Sequence, residues 1–573
     1  MIHQPKHQKG QRPTDVAPAC QDPVPEDPDT SLASPEGDEV QADRPSEGAA
    51  GDEVGRSAAM MGALVIVSRL TGFLRTWGQA FALGTTLLSS CYTVASNLPN
   101  QLYELVMGGL LATSFLPVYL SCKERSGRKS ANAYASNLLS IVLLLMGALS
   151  VLGIVFAVQF IWTQSFTASS TFDADRAVYF FRFFAIEIVL YGLSAVVSGI
   201  LNAERDYFWS NAAPIINNVV CTASFFAYAA LSSSNPGLAM LILAIGNPAG
   251  VAMQVVVQLP AMRRHGVHLT LHIDWHDHLL KETLIIGAPT LIATVVSFAT
   301  CSVQSTAALA VTDQGASIAY YARLWYTLPY AIIAVPITTA MFTELSTMVS
   351  KHDHRGFVSG ISSGISQILF FLIPFSIFLA VFSDSLISLL AFGKFDTAEI
   401  GTTASYLGAL ALSLPLYGVC TYLQKVCSSL RRMGIYAAAS VVAGVIQIVV
   451  CLAAAPVFGL NIVAYSSAAF FLAVDAVTLV SLRKELGHIG MRGIIGTGLK
   501  ALGLGIVGGI VGMLVSALIA GFLPDDVPNL VAALSSIIGG GIPAVLVTFG
   551  LATALHMPEA RSIRTMVARV LHR

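Results

Sequence analysis

The sequence predicts an all-α polytopic membrane protein with about fourteen transmembrane helices. Hydrophobic residues make up 55% of the 573 residues, charged residues make up only 11%, and the mean hydropathy is +0.70. A soluble globular chain has about 25% charged residues, so most of this chain is expected to lie in lipid. The formal net charge of −1 averages an acidic N-terminal tail with basic loops.

The tail comprises residues 1–56 and contrasts with everything after it. It is rich in Pro, Ser and Gly, and it holds twelve acidic residues against five Lys and Arg. Such a composition cannot bury enough apolar surface to fold, so we expect a disordered cytoplasmic tail. It can be an inert solubilising extension, or it can dock cell-wall or division proteins. No basic region followed by a short apolar core is present, so the tail does not read as a signal peptide.

Fourteen apolar segments follow from Ser57 onward. Each exceeds the roughly 20 residues needed to cross about 30 Å of hydrocarbon. The segments are apolar on all sides rather than along one stripe, which is typical of spanning helices. Their approximate spans are 57–83, 88–120, 135–162, 177–202, 209–231, 237–260, 282–309, 318–346, 359–385, 401–424, 435–456, 460–481, 496–523 and 529–556.

The longest loop between the early segments, residues 261–280, divides the segments into two groups of six and a terminal pair. Leu98-Pro99 and Leu328-Pro329 lie in similar contexts 230 residues apart, which hints at a duplicated six-helix unit. The predicted organisation is therefore a tail at 1–56, six helices at 57–260, an inter-lobe loop at 261–280, six helices at 281–481, a helix pair at 496–556 and a basic cytoplasmic tail at 557–573.

The distribution of Lys and Arg predicts the orientation. If the N-terminus is cytoplasmic and the segments alternate, the inner loops with the C-terminal tail hold 21 of the 32 Lys and Arg. The opposite loops hold two, Arg176 and Lys394. Cytoplasmic loops carry the excess of basic residues, so both termini are predicted to be cytoplasmic.

Two arginines lie where lipid should tolerate no charge. Arg69 stands near the middle of the first segment, and Arg75 follows six residues later. A charge at the bilayer centre costs roughly 2.5–3.5 kcal/mol on insertion scales, so such residues usually face a wet interior or a ligand. The planar guanidinium stays charged and binds two oxygens at once, which suits phosphate. The sequence therefore predicts an interior that handles an anion.

Several stretches resemble one family. The motif SRLTGFLR at 68–75, followed by SNLPNQLYELVMGGLLATSFLPVYL at 96–120, is similar to the MurJ (MviN) lipid II flippases of the multidrug/oligosaccharidyl-lipid/polysaccharide exporter superfamily. Weaker similarity lies at 198–208, 255–266 and 392–395. The resemblance implies two six-helix lobes in a V around a cationic cavity, with two last helices forming a groove for the lipid tail.

The resemblance also implies a function and a place in the cell. Members move undecaprenyl-pyrophosphate-linked disaccharide-pentapeptide (lipid II) from the inner to the outer leaflet of the bacterial cytoplasmic membrane, for cell wall synthesis. Arg69 and Arg75 match the arginines that bind the pyrophosphate, and Asn100 belongs to the LPN motif. Arg323 stands one residue earlier than the arginine of many relatives. These four are the predicted substrate-binding residues.

The chain departs from many relatives after LPN. Where those have an arginine pair and then a glutamate before the glycine, this chain has Tyr103, Glu104 and Gly108, a form that resembles the actinobacterial branch. Glu104 can balance the charge of Arg69 or Arg323, or it can gate or couple transport. Further gating or coupling candidates are Arg182, Glu187 and Asp475. Each of the two acids can bind a cation or close an ion pair within its lobe, and Arg182 is expected to be an entrance contact.

No enzymatic chemistry is visible. The sequence has no GxxxxGK[ST] phosphate loop for ATP, no GxSxG and no HExxH or CxxC metal pattern. No cofactor and no nucleic-acid partner is expected. Without a phosphate loop for ATP, the energy is expected to come from a sodium or proton gradient, the membrane potential or downstream consumption of the lipid. Two alternatives remain open: an exporter of another polysaccharide-lipid or a drug/cation antiporter of the same superfamily, and a non-transporting envelope scaffold.

Overall fold

The computed structural model describes residues 47–110, 115–267, 269–276, 278–524 and 527–561, with side chains except at 47–59, 108–110 and 278–290. Contacts divide the chain into two units, Met1–Gly55 and Arg56–Arg573. The predicted disorder of residues 1–46 lies outside the described residues. For residues 47–56 the prediction is wrong, because a helix already begins at Glu47. Extending a helix costs little once it is nucleated, and the long apolar segment supplies the nucleus.

Within the described residues every regular element is a helix. The first lobe consists of nine helices: α1 (Glu47–Leu83), α2 (Leu87–Leu110), α3 (Leu116–Val155), α4 (Ala157–Thr163), α5 (Ala174–Phe184), α6 (Glu187–Ala203), α7 (Tyr207–Leu231), α8 (Pro236–Val256) and α9 (Leu259–Arg264).

The second lobe also consists of nine α-helices, and one α-helical pair follows it. The lobe contains α10 (His278–Val311), α11 (Gly315–Pro329), α12 (Val335–Ser350), α13 (His354–Val381), α14 (Ser383–Ser388), α15 (Ile400–Ala411), α16 (Leu414–Ser429), α17 (Met433–Phe458) and α18 (Asn461–Leu486). A π-helical turn, Tyr330–Ala334, joins α11 to α12. The pair is α19 (Met491–Phe522) and α20 (Asn529–Ala554).

The predicted count of fourteen spans is not confirmed. By length and composition, eleven helical stretches of the described chain can cross a membrane, or twelve if the pair of Thr397–Ala411 and Leu414–Ser429, bent by 45°, is one span. The two predicted segments outside this set are those of α1 and α2. The structure describes side chains only from residue 60 onward in α1 and only up to residue 107 in α2, so the described part of each segment is shorter than the predicted one.

Some predicted boundaries were also wrong. The second segment was expected to run to residue 120, but α2 ends at Leu110 and Leu116 already belongs to α3. The third was expected at 135–162, but α3 runs from Leu116 to Val155 with a kink at Gly127, and α4 follows after Phe156. Gly127 has φ +79°, which an α-helix cannot accommodate, and the break there lets the chain change direction before the long apolar part of α3.

Buried apolar side chains form two large clusters. One is built almost wholly from residues 82–267, around Tyr92, Phe180, Phe181 and Phe184. The other is built from residues 303–494 with Ala80 of α1. Each lobe therefore has its own core, which is the arrangement that allows two halves to move as separate bodies.

The terminal pair is held by small residues. α19 packs on α20 and on α13. A Cβ atom on Gly508 or Gly512 would meet the backbone of α20, so the two helices approach to backbone contact. Small residues at such crossings are typical of helix packing inside membranes.

A strap of residues 269–276 runs beside α3 before α10 begins. The backbone amides of Thr270 and His272 donate to Ser136 Oγ and Ser140 Oγ at 3.1 and 2.9 Å. The amide of Asp274 donates to a side-chain oxygen of Asn137 at 2.8 Å. Alternate strap residues thus bind one face of α3, which fixes the connection between the lobes to the first lobe.

Candidate functional site

Arg75 lies inside the first lobe and is bound there. Its Nη2 donates to Oδ1 of Asn247 on α8 at 2.9 Å, and the Cys221 thiol of α7 donates to the same oxygen at 3.3 Å. The Nε of Arg75 is buried and has no acceptor among the described residues. The helix α8 supplies Asn247 from the sequence GNPAG, where Pro248 and two glycines allow close approach to α7. Arg75 is therefore part of a polar network in the core of the lobe.

Glu187 completes this network. It is fully buried at the first residue of α6, directly after the break that follows α5. The amide nitrogen of Asn247 donates to Glu187 Oε2 at 3.4 Å, and Tyr191 lies beside the carboxylate. Arg75 interacts with Glu187 electrostatically, but no direct ion pair within 4 Å joins them in the described structure. The ion pair considered for Glu187 is therefore not formed within the described residues, and Asn247 links Arg75 to Glu187 instead.

Arg69 has a different environment. Its side chain is exposed and lines a cavity of about 260 Å³ between α1 and α7, together with Val65, Ser68, Ser210, Asn211 and Pro214. On an ideal helix, Arg69 and Arg75 point about 120° apart. The structure keeps this separation, because Arg75 turns into the first lobe while Arg69 stays accessible. Only Arg69 of the two presents its whole guanidinium to a ligand.

Asn100, Glu104 and Arg323 are also exposed. The amide of Asn100 donates to Glu104 Oε1 at 3.0 Å, across one turn of α2. Glu104 and Arg323 both lie within electrostatic range of the Cys301 thiol on α10. The acid of the first lobe and the base of the second are thus brought towards the same stretch of α10, although no ion pair joins them in the described residues.

The remaining candidates lie apart from this region. Arg182 is exposed on the last turn of α5. Asp475 lies within α18 and is only 5% exposed. The ion pair considered for Asp475 is absent, because neither carboxylate oxygen has a partner in the part of the chain that is described. The structure therefore brings together Arg75 and Glu187, and brings Glu104 and Arg323 near one helix, but gathers no single cluster of all eight.

The two lobes meet through backbone contacts at one end. The amide of Lys394 donates to the carbonyl of Phe81 at 3.0 Å, and the Lys394 ammonium lies 5.1 Å from the centroid of the Tyr228 ring. Gly84 and Gly393 both have positive φ, and a Cβ on either would meet backbone of the opposite lobe. We call this contact, Phe81 and Gly84 against Gly393 and Lys394, the glycine clasp.

Hydroxyl pairs extend the contact beside the glycine clasp. Tyr321 of α11 donates to the Gly84 carbonyl at 2.9 Å and lies 2.8 Å from the Ser89 hydroxyl. Further pairs join α2 to α11 and the segment after α4 to α10: Ser90 with Ser317, Gln164 with Ser302, and Thr167 with Thr306. All lie at the end of the molecule that the charge distribution predicts to be outside. The arrangement is that of a gate closed by neutral polar pairs.

Comparison with known proteins decides the family. The family model described as lipid II flippase MurJ matches residues 79–569 of this chain. The chain belongs to this family. A probable lipid II flippase MurJ of Rhizobium meliloti is 24% identical over 366 residues, which cover 63% of this chain and 67% of the relative. Membership makes the chain a multi-pass transporter of the bacterial inner membrane rather than an enzyme.

Solved structures show the fold. A structure of lipid II flippase MurJ in an inward closed conformation aligns with a TM-score of 0.69 at 20% identity, covering 87% of this chain and 99% of that one. An inward-facing MATE-family multidrug transporter of the MOP superfamily aligns with a TM-score of 0.59 at 13% identity, over 75% of this chain and 98% of that one. The all-helical MurJ-like fold predicted from the sequence is confirmed.

The MurJ family match begins after the two arginines. Arg69 and Arg75 precede residue 79, so their roles rest on the geometry of this chain alone. Sequence reasoning missed Asn247; the available signal was Pro248 with its flanking glycines, Gly246 and Gly250, inside an apolar segment. It also missed Tyr321 and the contact of Lys394, because nothing in one sequence indicates a contact across lobes.

Proposed function

We propose that this protein carries lipid II from the inner to the outer leaflet of the cytoplasmic membrane by alternating access of its two lobes, with both termini in the cytoplasm. The observation that carries the proposal is the match of the MurJ family model over residues 79–569. The separate core of each lobe and the gate between them support a mechanism of rigid-body motion.

The cavity at Arg69 is the proposed contact for the pyrophosphate. The exposed guanidinium offers charge and paired donors, and Ser68, Ser210 and Asn211 add hydroxyl and amide groups around it. Arg323 supplies a second exposed cation from the other lobe. A doubly charged headgroup held between the lobes would therefore be recognised by one arginine from each.

Arg75 has a supporting role in this proposal. Its Nη2 is already bound by Asn247, and its charge balances buried Glu187. The Nε of Arg75 is buried without an acceptor among the described residues. Because its guanidinium is anchored on Asn247 inside the lobe, Arg75 holds the first lobe in shape behind Arg69 rather than binding the cargo alone.

Transport requires the gate to open on the outer side. A neutral hydrogen bond contributes only about 0.5–1.5 kcal/mol net, since water replaces the partner when it breaks. The hydroxyl pairs around Tyr321 can therefore exchange with water at low cost. Glu104 is exposed and hydrogen-bonded to Asn100, and both Glu104 and Arg323 lie near Cys301 of α10. Separation of the lobes would therefore change the electrostatic environment of Glu104.

The energy source follows from the charge of the cargo. The membrane potential supplies about 2.3 kcal/mol per elementary charge per 100 mV, so an inside-negative cell favours outward movement of an anionic headgroup. A sodium or proton gradient can add to this. The exposed arginines argue against a drug/cation antiporter, whose cargo they would repel. An exporter of another polysaccharide-lipid would share the pyrophosphate contact and differ only in the sugar.

The test is transport in cells depleted of their own lipid II flippase. Arg69→Ala should fail to restore transport, so that lipid-linked precursor accumulates in the inner leaflet, and Arg69→Lys should restore it only in part because an ammonium loses the two-pronged geometry. Arg492→Ala, at an exposed arginine near the start of α19, is the matched control and should transport normally. Normal transport by the Arg69→Ala, Arg75→Ala double variant would rule out recognition of an anionic headgroup by this helix.

A further inference from the structure

Asp475 is an isolated acid in the middle of the second lobe. It lies half-way along α18, it is 5% exposed, and both of its carboxylate oxygens lack a hydrogen-bond partner among the described residues. Thr478, one turn further along, is fully buried and its hydroxyl is also without a partner. One face of α18 therefore holds two buried polar side chains without a partner among the described residues.

The surroundings of Asp475 are apolar or weakly polar. A small core lies beside it, formed by Cys420 of α16, Ala439 and Ala443 of α17, and Val474. The Cys420 sulfur lies 3.5 Å from the Tyr436 hydroxyl of α17, and Asp475 acts electrostatically on both groups. Phe470 and Phe471 close the cluster. Only 5% of Asp475 is exposed, so these side chains shield it almost completely from solvent.

No base faces Asp475 from the described parts of the helices around it. The titratable and basic residues on those helices are Tyr436 and Cys451 on α17, Tyr417, Cys420, Tyr422, Lys425 and Cys427 on α16, Tyr406 on α15, and Cys301 on α10 beyond residue 290. The one strong base among these is Lys425, and its ammonium lies over the Phe342 ring of α12 at 5.4 Å. On α18 itself, Arg483 and Lys484 stand in the last turn, two turns away.

The first lobe also contains a buried acid, Glu187, but there other protein groups accompany it. Asn247 stands on α8, 228 residues before Asp475, and the predicted segments that hold these two residues are each the sixth of their group. There a neutral amide sits between the cation of Arg75 and the anion of Glu187. In the second lobe the acid itself takes this place, and neither a cation nor an amide accompanies it in the described structure. Only the first lobe compensates its buried charge with protein groups.

An ionised carboxylate without a partner costs several kcal/mol in a protein interior, which the group avoids by taking up a proton. We propose that Asp475 is a proton-binding site: its carboxyl group is protonated in this conformation and releases the proton to water when the second lobe rearranges. The O–H bond forms with a proton from water and breaks to return it, and nothing else is consumed. The claim that this proton couples transport rests on the proposed function. The claim that Asp475 binds a proton does not.

The direct test is infrared difference spectroscopy of the full-length protein in liposomes. The wild-type protein should show the C=O stretch of a protonated carboxylic acid that shifts in heavy water, and Asp475→Asn should lose that component. Asp384→Asn, at an exposed acid of α14, is the matched control and should keep it. An unchanged spectrum in Asp475→Asn would overturn the proposal whether or not the protein transports lipid II.

Two further measurements separate the alternatives. If the site binds sodium instead, sodium but not choline would raise the unfolding temperature of the wild-type protein and not of Asp475→Asn, which would also overturn the proposal. In proteoliposomes supplied with lipid II, a pH gradient should accelerate wild-type transport, and Asp475→Asn should lose that acceleration. Equal acceleration of the variant would overturn coupling through Asp475. If the wild-type protein moves no lipid II at all, the proposed function fails while the infrared result stands.

Discussion

The backbone amide of Lys394 donates to the carbonyl of Phe81, joining the second lobe to the end of α1 at 3.0 Å. This bond forms because Gly84 and Gly393 carry no side chain where the two backbones meet. A contact between backbones cannot adjust by changing a rotamer, so the glycine clasp is either closed or broken. Substitution of these glycines is therefore the most direct test of whether transport requires the gate to close.

Gly84→Ala should hold the gate open. A methyl group at Gly84 would meet the carbonyl of Lys394, which cannot move away as a flexible side chain can. Cysteine cross-linking between the segments at residues 81 and 394 should fall sharply in this variant, and transport should be lost while the protein remains in the membrane.

Gly459→Ala is the control for the glycine experiment. Gly459 also has positive φ, at +81°, but a Cβ there would meet nothing within 4 Å. Both variants place an alanine at a positive φ, which costs roughly 1–3 kcal/mol, and only Gly84→Ala also carries the clash. If both variants cross-link and transport alike, steric closure at Gly84 is not required.

Arg75→Ala should destabilise the protein, unlike Arg69→Ala. Removing Arg75 leaves Glu187 buried without the compensating cation, and breaking a buried charge pair from one side costs about 3–5 kcal/mol. The unfolding temperature in detergent should fall clearly for Arg75→Ala and remain unchanged for Arg69→Ala. Adding Glu187→Gln to Arg75→Ala should recover part of the loss, since no buried charge then remains. An unfolding temperature of Arg75→Ala equal to the wild type would contradict the network.

The orientation predicted from Lys and Arg can be tested with thiol labelling. In a variant without native cysteines, a cysteine placed beside Asn235 or at Asp313 should react with an impermeant reagent from outside the cell. Cysteines at Gly127 and Gly434 should react only after the membrane is permeabilised. Both glycine sites are exposed and have room for a side chain, so failure to react cannot come from crowding. The reverse pattern would invert the topology.

Removing residues 2–46 should leave insertion and transport intact. The composition of this stretch gives it no apolar surface to pack, and α1 keeps its full described length from Glu47 onward. Transport in the depletion strain and the amount of protein in the membrane fraction are the measurements. Loss of growth with normal membrane levels and normal transport would favour the scaffold alternative, in which the tail recruits division proteins.

Much of the fold could be predicted because each spanning helix is a continuous apolar segment that the local sequence reveals. Twelve of the predicted segments correspond to stretches that can cross a membrane, counting the bent pair as one span. The predicted ends of helices were wrong where no change in local composition marks the end, as at the helix starts Glu47 and Leu116. On a helical wheel Arg69 and Arg75 lie on different faces, and in the structure Arg69 is exposed while Arg75 is bound to Asn247 inside the first lobe.

The partners of these residues could not be predicted. Arg75 and Asn247 bind each other but are 172 residues apart in the sequence, so only tertiary packing brings them together. Glu187 and Asp475 looked equivalent as acids within apolar segments. Only the structure shows that one is balanced and the other is alone.

The strap along α3 sets the mechanical linkage between the lobes. If this connection were an unbound loop, it would not restrict the direction in which the second lobe moves relative to the first. Because Ser136, Asn137 and Ser140 hold alternate amides of the strap, the slack in the connection is taken up as far as Asp274. The two lobes are therefore linked at two separate places, the strap and the glycine clasp, and these links limit how far and in which directions the lobes can move apart.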